Sequence, residues 1–351
     1  MFAPVSTRRG IVKIKFYLCG GEADKRMSQI PLGIGSLMSN IDAETEFCMD
    51  KKDLIDCDWI GLSSGVVGLN EAIEILQSTD IPVIIGGMGC LWGGLQEYPF
   101  KHIVTGDGER ALNNIIEGRN VPKIVDSMSV VDINKLNFPE LGKLNQKVIP
   151  IMSSRGCPFN CAFCTSHVYW KGVRYHSAEY VLAEIDYYID MYPEADEIYL
   201  LDDIVTLPPS RFETIYNGWM SRGLNKTHKL RGFVRADTLD FITLKRLQEM
   251  GMSFIRFGAE SGSNRMLKLL NKRSTVNDYK RVIEWCKELD LPVSASFMYG
   301  LPFETPTDIK LTEEFIKETG IQKGGWYEFK AFPGTALYNG ENPLEVDMRV
   351  R

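Results

Sequence analysis

The strongest constraint on the fold is a change of rhythm at Lys147. From there six short apolar runs alternate with helical segments: Val148 to Met152, Glu197 to Leu201, Leu230 to Val234, Phe254 to Phe257, Pro292 to Met298 and Trp326 to Ala331. Strands that recur only after a helix need crossover connections, and these build a parallel sheet covered by helices. The intervening segments carry helix signals. Val181, Leu182, Ile185, Tyr188 and Ile189 share one face of a helix starting near Ser177. Ser210-Arg211-Phe212-Glu213 reads as a capping box, with Gly223 placed to end that helix. Thr275-Val276-Asn277-Asp278 marks another helix start, and Thr305-Pro306 gives a cap followed by proline at the first helical position. Six βα units in about 190 residues predict a partial (β/α)6 barrel, because a closed eight-stranded one takes about 250 residues.

The first 125 or so residues show a looser form of the pattern. Val12 to Leu18 ends in Cys19-Gly20-Gly21. Asp58 to Ser63 precedes a helix in which Asn70 can cap Ala72 to Leu76. Ile81 to Ile85 ends in Gly86-Gly87-Met88-Gly89, and His102 to Val104 leads to Gly106-Asp107-Gly108-Glu109 and a helix through Ile116. This predicts an α/β, doubly wound (Rossmann-like) parallel sheet. Ligands of such sheets lie beyond the carboxyl ends of the strands, which makes Gly86 and Gly87 candidate binding positions. Val121 to Gln146 has no sustained period and contains Pro122 and Pro139, so it reads as a connection. The expected organisation is a first domain over 1–125, a linker over 126–146, the barrel over 147–335 and a tail over 336–351.

Forty basic residues against 46 acidic ones, net −6, argue against a general electrostatic grip on nucleic acid or anionic lipid. The longest uncharged stretch, Ile81 to Gln96, holds five glycines and a proline and is shorter than the ~18 apolar residues of a spanning helix. Met1 to Gly10 has no apolar core behind its arginines, so no secretory signal is read. Eight cysteines in such a chain point to reduced thiols in the cytoplasm, and clustered thiols there point to metal.

The cluster is Cys157-Pro158-Phe159-Asn160-Cys161-Ala162-Phe163-Cys164, directly after the first barrel strand. Three thiolates spaced C-x3-C-x2-C on one loop can hold three irons of a [4Fe–4S] cluster and leave the fourth iron without a ligand from the motif. An open position suits a catalytic site. Two other readings of these residues stand beside it: a Cys3His zinc site completed by His167, and buried thiols without a ligand.

C-x3-C-x-Φ-C with Phe163 at Φ resembles the signature of radical S-adenosylmethionine (SAM) enzymes, and the resemblance covers the second half of the chain. It implies that Cys157, Cys161 and Cys164 hold the cluster. The open iron would chelate SAM, and one electron would cleave it to methionine and a 5′-deoxyadenosyl radical that abstracts substrate hydrogen. Asp202 and Asp203 stand where family members receive the SAM amino group, although the usual Gly-Gly-Glu is absent. Phe233-Val234-Arg235-Ala236-Asp237 resembles a segment whose arginine contacts the SAM carboxylate. Phe257-Gly258-Ala259-Glu260-Ser261-Gly262 resembles the GxES segment that contacts nucleoside or methionine, which brings in Glu260 and Ser261. Gly300-Leu301-Pro302-Phe303-Glu304-Thr305 and Phe332-Pro333-Gly334-Thr335 match later family turns.

The first half resembles the cobalamin-binding domain that precedes the barrel in one subfamily. The D-x-H-x-x-G motif is absent and Met88 follows Gly-Gly, so the resemblance implies either cobalamin bound without a protein histidine or a scaffold that no longer binds it. With cobalamin, methylation of an unactivated carbon is the implied outcome. A methylthiotransferase would need a second cluster in this domain. Cys19 and Cys90 follow strands suitably, but the third position reads Ser63-Ser64. Implied partners are a small-molecule or peptide substrate and a reductase such as flavodoxin or ferredoxin.

Overall fold

The computed structural model describes residues 11–21, 28–127 and 131–345. The N-terminal stretch read for a signal, part of the linker and the end of the tail lie outside them. The chain divides into two compact units. The first comprises 1–22, 33–131 and 136–140, and the second 23–32, 132–135 and 141–351.

The first unit is a wholly parallel six-stranded sheet, ordered β2-β1-β3-β4-β5-β6. Its strands are β1 (Lys13–Cys19), β2 (Glu44–Phe47), β3 (Trp59–Ser64), β4 (Val83–Gly86), β5 (His102–Gly106) and β6 (Ile124–Ser127). Helices α1 (Leu32–Asn40), α2 (Leu69–Gln77) and α3 (Gly108–Ile116) complete it. The central strands are nearly continuous apolar runs, as expected where both faces are covered. Ile14, Ile60, Ile85, Leu69 and Ala72 lose all exposure. Ser36 on α1 donates to Glu109 on α3 at 2.6 Å, so the acid of the Gly-Asp-Gly-Glu segment fastens two helices.

Two strands were not foreseen. β2 reads Glu-Thr-Glu-Phe and sits at an edge, where its acids face Lys13 and Lys15 at 3.4–3.7 Å. β6 is the other edge and falls inside the expected connection. Asn70 is not the cap of α2, because the helix already begins at Leu69 behind Gly68.

The second unit holds two three-stranded parallel sheets, ordered β11-β10-β7 and β12-β13-β14. The strands are β7 (Val148–Ile151), β10 (Glu197–Leu200), β11 (Lys229–Gly232), β12 (Ile255–Glu260), β13 (Val293–Tyr299) and β14 (Gln322–Glu328). Parallel bridges Leu230–Met252 and Val234–Phe257 join the β11 segment to β12, giving an open arc of six strands. Between them run α5 (Ala178–Met191), α6 (Pro209–Ser221), α7 (Phe241–Glu249), α8 (Asn264–Leu269), α9 (Val276–Glu288) and α10 (Pro306–Thr319). Ser177 caps α5, and both threonines, Thr275 and Thr305, form full capping boxes. Ser210 does not: α6 starts at Pro209, and proline at the first position sets the start without a side-chain cap. β14 lies four residues earlier than the apolar run suggested, and takes in Gly324 and Gly325. A short antiparallel pair, β8 (Ser154–Arg155) and β9 (Arg174–Tyr175), brackets the cysteine loop and the short helix α4 (Ser166–Trp170).

Candidate active site

β7 delivers the chain to the carboxyl end of the arc, and the cysteine loop begins there. Gly156 makes the entry possible. Its φ is +91°, and a Cβ on it would overlap Gly172 O and lie 2.9 Å from Trp170 Cβ. Downstream the loop is tied by backbone: Ala162 N–H donates to Leu270 O at 2.8 Å, and Leu337 N–H donates to Ala162 O at 3.3 Å. Asn271 adds side-chain bonds of 3.0 Å to Asn160 O and Oδ1. Phe163 packs on Met266, Leu270 and Leu301, together with Met298, Phe329 and Leu337. The aromatic of the motif is therefore an anchor for the loop.

Cys161 is buried, and Cys157 and Cys164 are half-buried. Burial pushes the Cys157 thiol up to about 11, against the lowering effect of the Phe159 backbone N–H. Cys164 is likewise raised by burial, against a bond from the Ser166 N–H. N–H groups aimed at sulfur favour the thiolate once a metal removes the proton. Among the described residues, no three His, Cys, Asp or Glu side chains converge on one metal ion. The thiolates of a cubane each bind a different iron and need no such convergence. His167, the proposed fourth zinc ligand, lies on α4 with its Nδ1 buried and unpartnered.

Arg235 is brought to the thiols. Its Nη1 donates to Cys161 Sγ at 3.4 Å, and its guanidinium lies 3.9 Å from the Phe159 ring centroid. Nε sits 2.7 Å from Asp237 Oδ1, out of line for a hydrogen bond, and Nη2 is buried with no acceptor. A buried guanidinium with an unfilled donor suits a carboxylate ligand.

The two adjacent acids diverge. Asp202 is buried and accepts from Ser153 Oγ and from Ser154 N–H at 2.7 Å, while Arg211 grips Ser153 O and Oγ at 2.7 Å each. Asp203 is exposed, receives Ser166 Oγ at 2.5 Å, and lies close enough to Cys157 and Cys164 to act on both electrostatically. Glu260 adopts φ +65° and pairs with Lys272 at 2.8 Å. Ser261 is fully buried; its Oγ accepts from Ser263 N–H at 3.1 Å and meets Thr312 Oγ1 at 3.3 Å. Sequence reasoning did not single out Lys272. Left-handed Asn271 and Arg273 turn it inward, where it pairs with Glu260 and lies 5.6 Å from the Phe163 ring centroid.

In the first unit, Gly86 and Gly87 follow β4. Gly87 has φ +96°, and a Cβ there would meet Ser64 O at 2.6 Å. Above it the surface is open: Cβ atoms on Gly65 or Gly93 would touch nothing within 4 Å, and one on Gly86 only Val104 O at 3.6 Å. The strand order reverses between β1 and β3, where Glu71 accepts from Tyr17 OH at 2.8 Å and Gly20 N–H at 2.7 Å. Cys19 and Cys90 are buried near these strand ends, and Ser64 occupies the third position with its Oγ donating to Gly65 O. His102, the unit's one histidine, opens β5 at the opposite end, its Nδ1 2.9 Å from Pro122 O.

A family model for the radical SAM superfamily matches residues 151–316. An uncharacterized methyltransferase of Pyrococcus horikoshii, PH0819, is 30% identical over 319 residues, which cover 81% of this chain and 69% of that protein. The chain belongs to the radical SAM superfamily. Radical SAM enzymes use a [4Fe–4S] cluster and SAM. An anaerobic magnesium-protoporphyrin IX monomethyl ester cyclase of Rubrivivax gelatinosus is 22% identical over 82% of this chain, which spans 58% of the cyclase's length. The fold is that of the radical SAM methyltransferase TsrM of Kitasatospora setae, solved with cobalamin and a [4Fe–4S] cluster. The TM-score is 0.76 at 14% identity, over 93% of this chain and 74% of TsrM.

Proposed function

We propose that this radical SAM enzyme transfers a methyl group to an unactivated carbon with the help of cobalamin. Cys157, Cys161 and Cys164 would hold the [4Fe–4S] cluster. When bound, the cluster supplies the electron that cleaves SAM. The observation that carries the site is the unfilled Arg235 guanidinium beside Cys161: a cation with a free buried donor next to three thiols on one loop. Arg235 would take the SAM carboxylate, and exposed Asp203 the amino group. Asp202, through Ser153 and Ser154, would set the root of the loop. Glu260 and Ser261 would shape the turn after β12, and Lys272 would balance the charge of Glu260.

Cobalamin is supported by the open strand-end surface over Gly65, Gly86 and Gly93, by the methyltransferase relative and by the TsrM-like fold. The one histidine of the first unit lies at the far end of the sheet, so the open strand-end residues, and no histidine of that unit, would hold cobalamin. The test is anaerobic production with cobalamin supplied, cluster reconstitution, and assay of iron, cobalamin and 5′-deoxyadenosine. About four irons and near one cobalamin per chain are expected. Stoichiometric zinc in a colourless protein would overturn the radical reading, and about eight irons would favour a methylthiotransferase. An intact cluster without cobalamin would overturn the methylation step alone.

A further inference from the structure

The face of the arc turned away from its helices carries a cation that the site above does not use. On β12, Ile255, Phe257 and Ala259 are buried, and the Phe257 ring stacks 5.4 Å from Tyr279 on α9. Strand alternation therefore sends Arg256 and Gly258 to the opposite face, up to the bulge between Gly258 and Glu260. On β13, Ala295 and Phe297 are fully buried and Phe297 lies 6.2 Å from Phe315 on α10, so Ser294 and Ser296 point the same way as Arg256. Arg256 and Ser294 are direct cross-strand partners.

Neither residue is satisfied. Among the described residues no carboxylate lies within ion-pair distance of Arg256, and its Nε is buried without an acceptor; its guanidinium lies 5.5 Å from the Phe254 ring centroid and near enough to Tyr199 to act on it electrostatically. Ser294 is 5% exposed, and its Oγ has no partner. On the neighbouring strand the Nε of Arg231 likewise lacks a hydrogen bond, but that guanidinium has a carboxylate beside it, Glu197 at 3.2 Å, and the Tyr199 ring at 4.1 Å. A buried guanidinium N–H without an acceptor beside a buried hydroxyl without a partner is costly unless an anion completes both.

We propose that Arg256 and Ser294 form an oxyanion subsite on this face, and that the substrate carries a carboxylate or phosphate to fill it. Assigning the anion to the substrate rests on the function proposed above; the subsite itself does not. A planar oxyanion can take two guanidinium N–H bonds while receiving the serine O–H. Gly258 lies two residues further along the same face, about 7 Å by Cα rise, and the Glu260 carboxylate sits over it, where a Cβ on Gly258 would point. A substrate held at Arg256 would thus extend along the strand toward the end of the arc where the cysteine loop begins.

The test uses the full chain with its cluster reconstituted. Benzoate, phenyl phosphate and the neutral benzamide serve as probes, with affinities read by saturation-transfer NMR and position by the Arg256 Nε–H signal in arginine-labelled protein. Saturable binding of benzoate or phenyl phosphate is expected, with a shift of that signal and none from benzamide. The tighter probe identifies a carboxylate or a phosphate. Arg256→Gln and Ser294→Ala should each weaken binding about tenfold, as loss of a charged hydrogen bond does. Absent binding, equal binding of benzamide, or affinities unchanged in both variants would overturn the subsite. Wild-type 5′-deoxyadenosine formation is measured in the same preparation. If it fails while anions still bind, the radical reading falls and the subsite stands.

Discussion

Replacing Gly156 by alanine tests whether the cysteine loop depends on its entry turn. A side chain at φ +91° costs about 1–3 kcal/mol in backbone strain. The methyl group also overlaps Gly172 O, a backbone atom that cannot swing aside, and forced packing adds about 1–3 kcal/mol. Together these come to about 4 kcal/mol, or about 8–16 °C of melting temperature for a domain of this size. Gly172 supplies the control. Its φ is +135°, but a Cβ there would touch nothing within 4 Å, so Gly172→Ala carries the strain without the overlap. Calorimetry and iron content after anaerobic reconstitution are the assays. Gly156→Ala should melt well below Gly172→Ala and hold less iron per chain, because relief of the overlap displaces Cys157. Equal melting temperatures with full iron in both variants would refute the argument.

Three further outcomes are expected. Burial, reinforced by Arg155, Arg211 and Arg174, pushes His176 down to about 3. It stays neutral in the folded chain while the unfolded chain takes up a proton near pH 6.5, so stability falls as pH drops below that value; between pH 6.5 and 5 the loss is about 2 kcal/mol. Urea unfolding of His176→Gln should lack this part of the slope, and an identical slope would remove His176 as its source. Burial, helped by the charge of Asp202, pushes Glu184 up to about 8, so its contribution is present below pH 4.5 and is lost as pH rises toward 8. Glu184→Gln should therefore stabilise the protein at pH 7 by roughly 3 kcal/mol, with little effect at pH 4.5 in the same unfolding series. Arg235→Lys keeps the charge but loses the planar fork, so SAM should bind about tenfold more weakly in equilibrium dialysis of cluster-loaded protein. An unchanged affinity would take Arg235 out of the SAM site.

The sequence made the central strands legible because each is an apolar run between turn residues, and parallel strands covered on both faces must be. β2 escaped because an edge strand is half solvated, and Glu44 and Glu46 break the apolar signal. Ser210 misled because the capping-box spacing is local, whereas Pro208 and Pro209 fix where the chain can turn helical. At the site, cysteine spacing carried the thiol loop, since ligands on one short loop need little from the tertiary fold. Asp202 and Asp203 could not be told apart as letters. The structure turns one toward Ser153 and the other toward the thiols. Lys272 was hidden for a similar reason, because its direction is set by left-handed conformations at Asn271 and Arg273 that ordinary residues rarely adopt.

The fastening of Ala162 has a consequence for how the protein is made. One of its two backbone bonds comes from Leu337, which packs against the same Met266, Leu270 and Leu301 cluster as Phe163. The roughly 170 residues between Cys164 and Leu337 take about 10–30 s to synthesise at 5–20 residues per second. Throughout that interval the three thiols have left the peptidyl-transferase centre, yet their loop lacks its last tie. Newly made chains thus pass through a window in which oxygen and stray metal ions compete for the sulfurs. That window is set by the rate of translation.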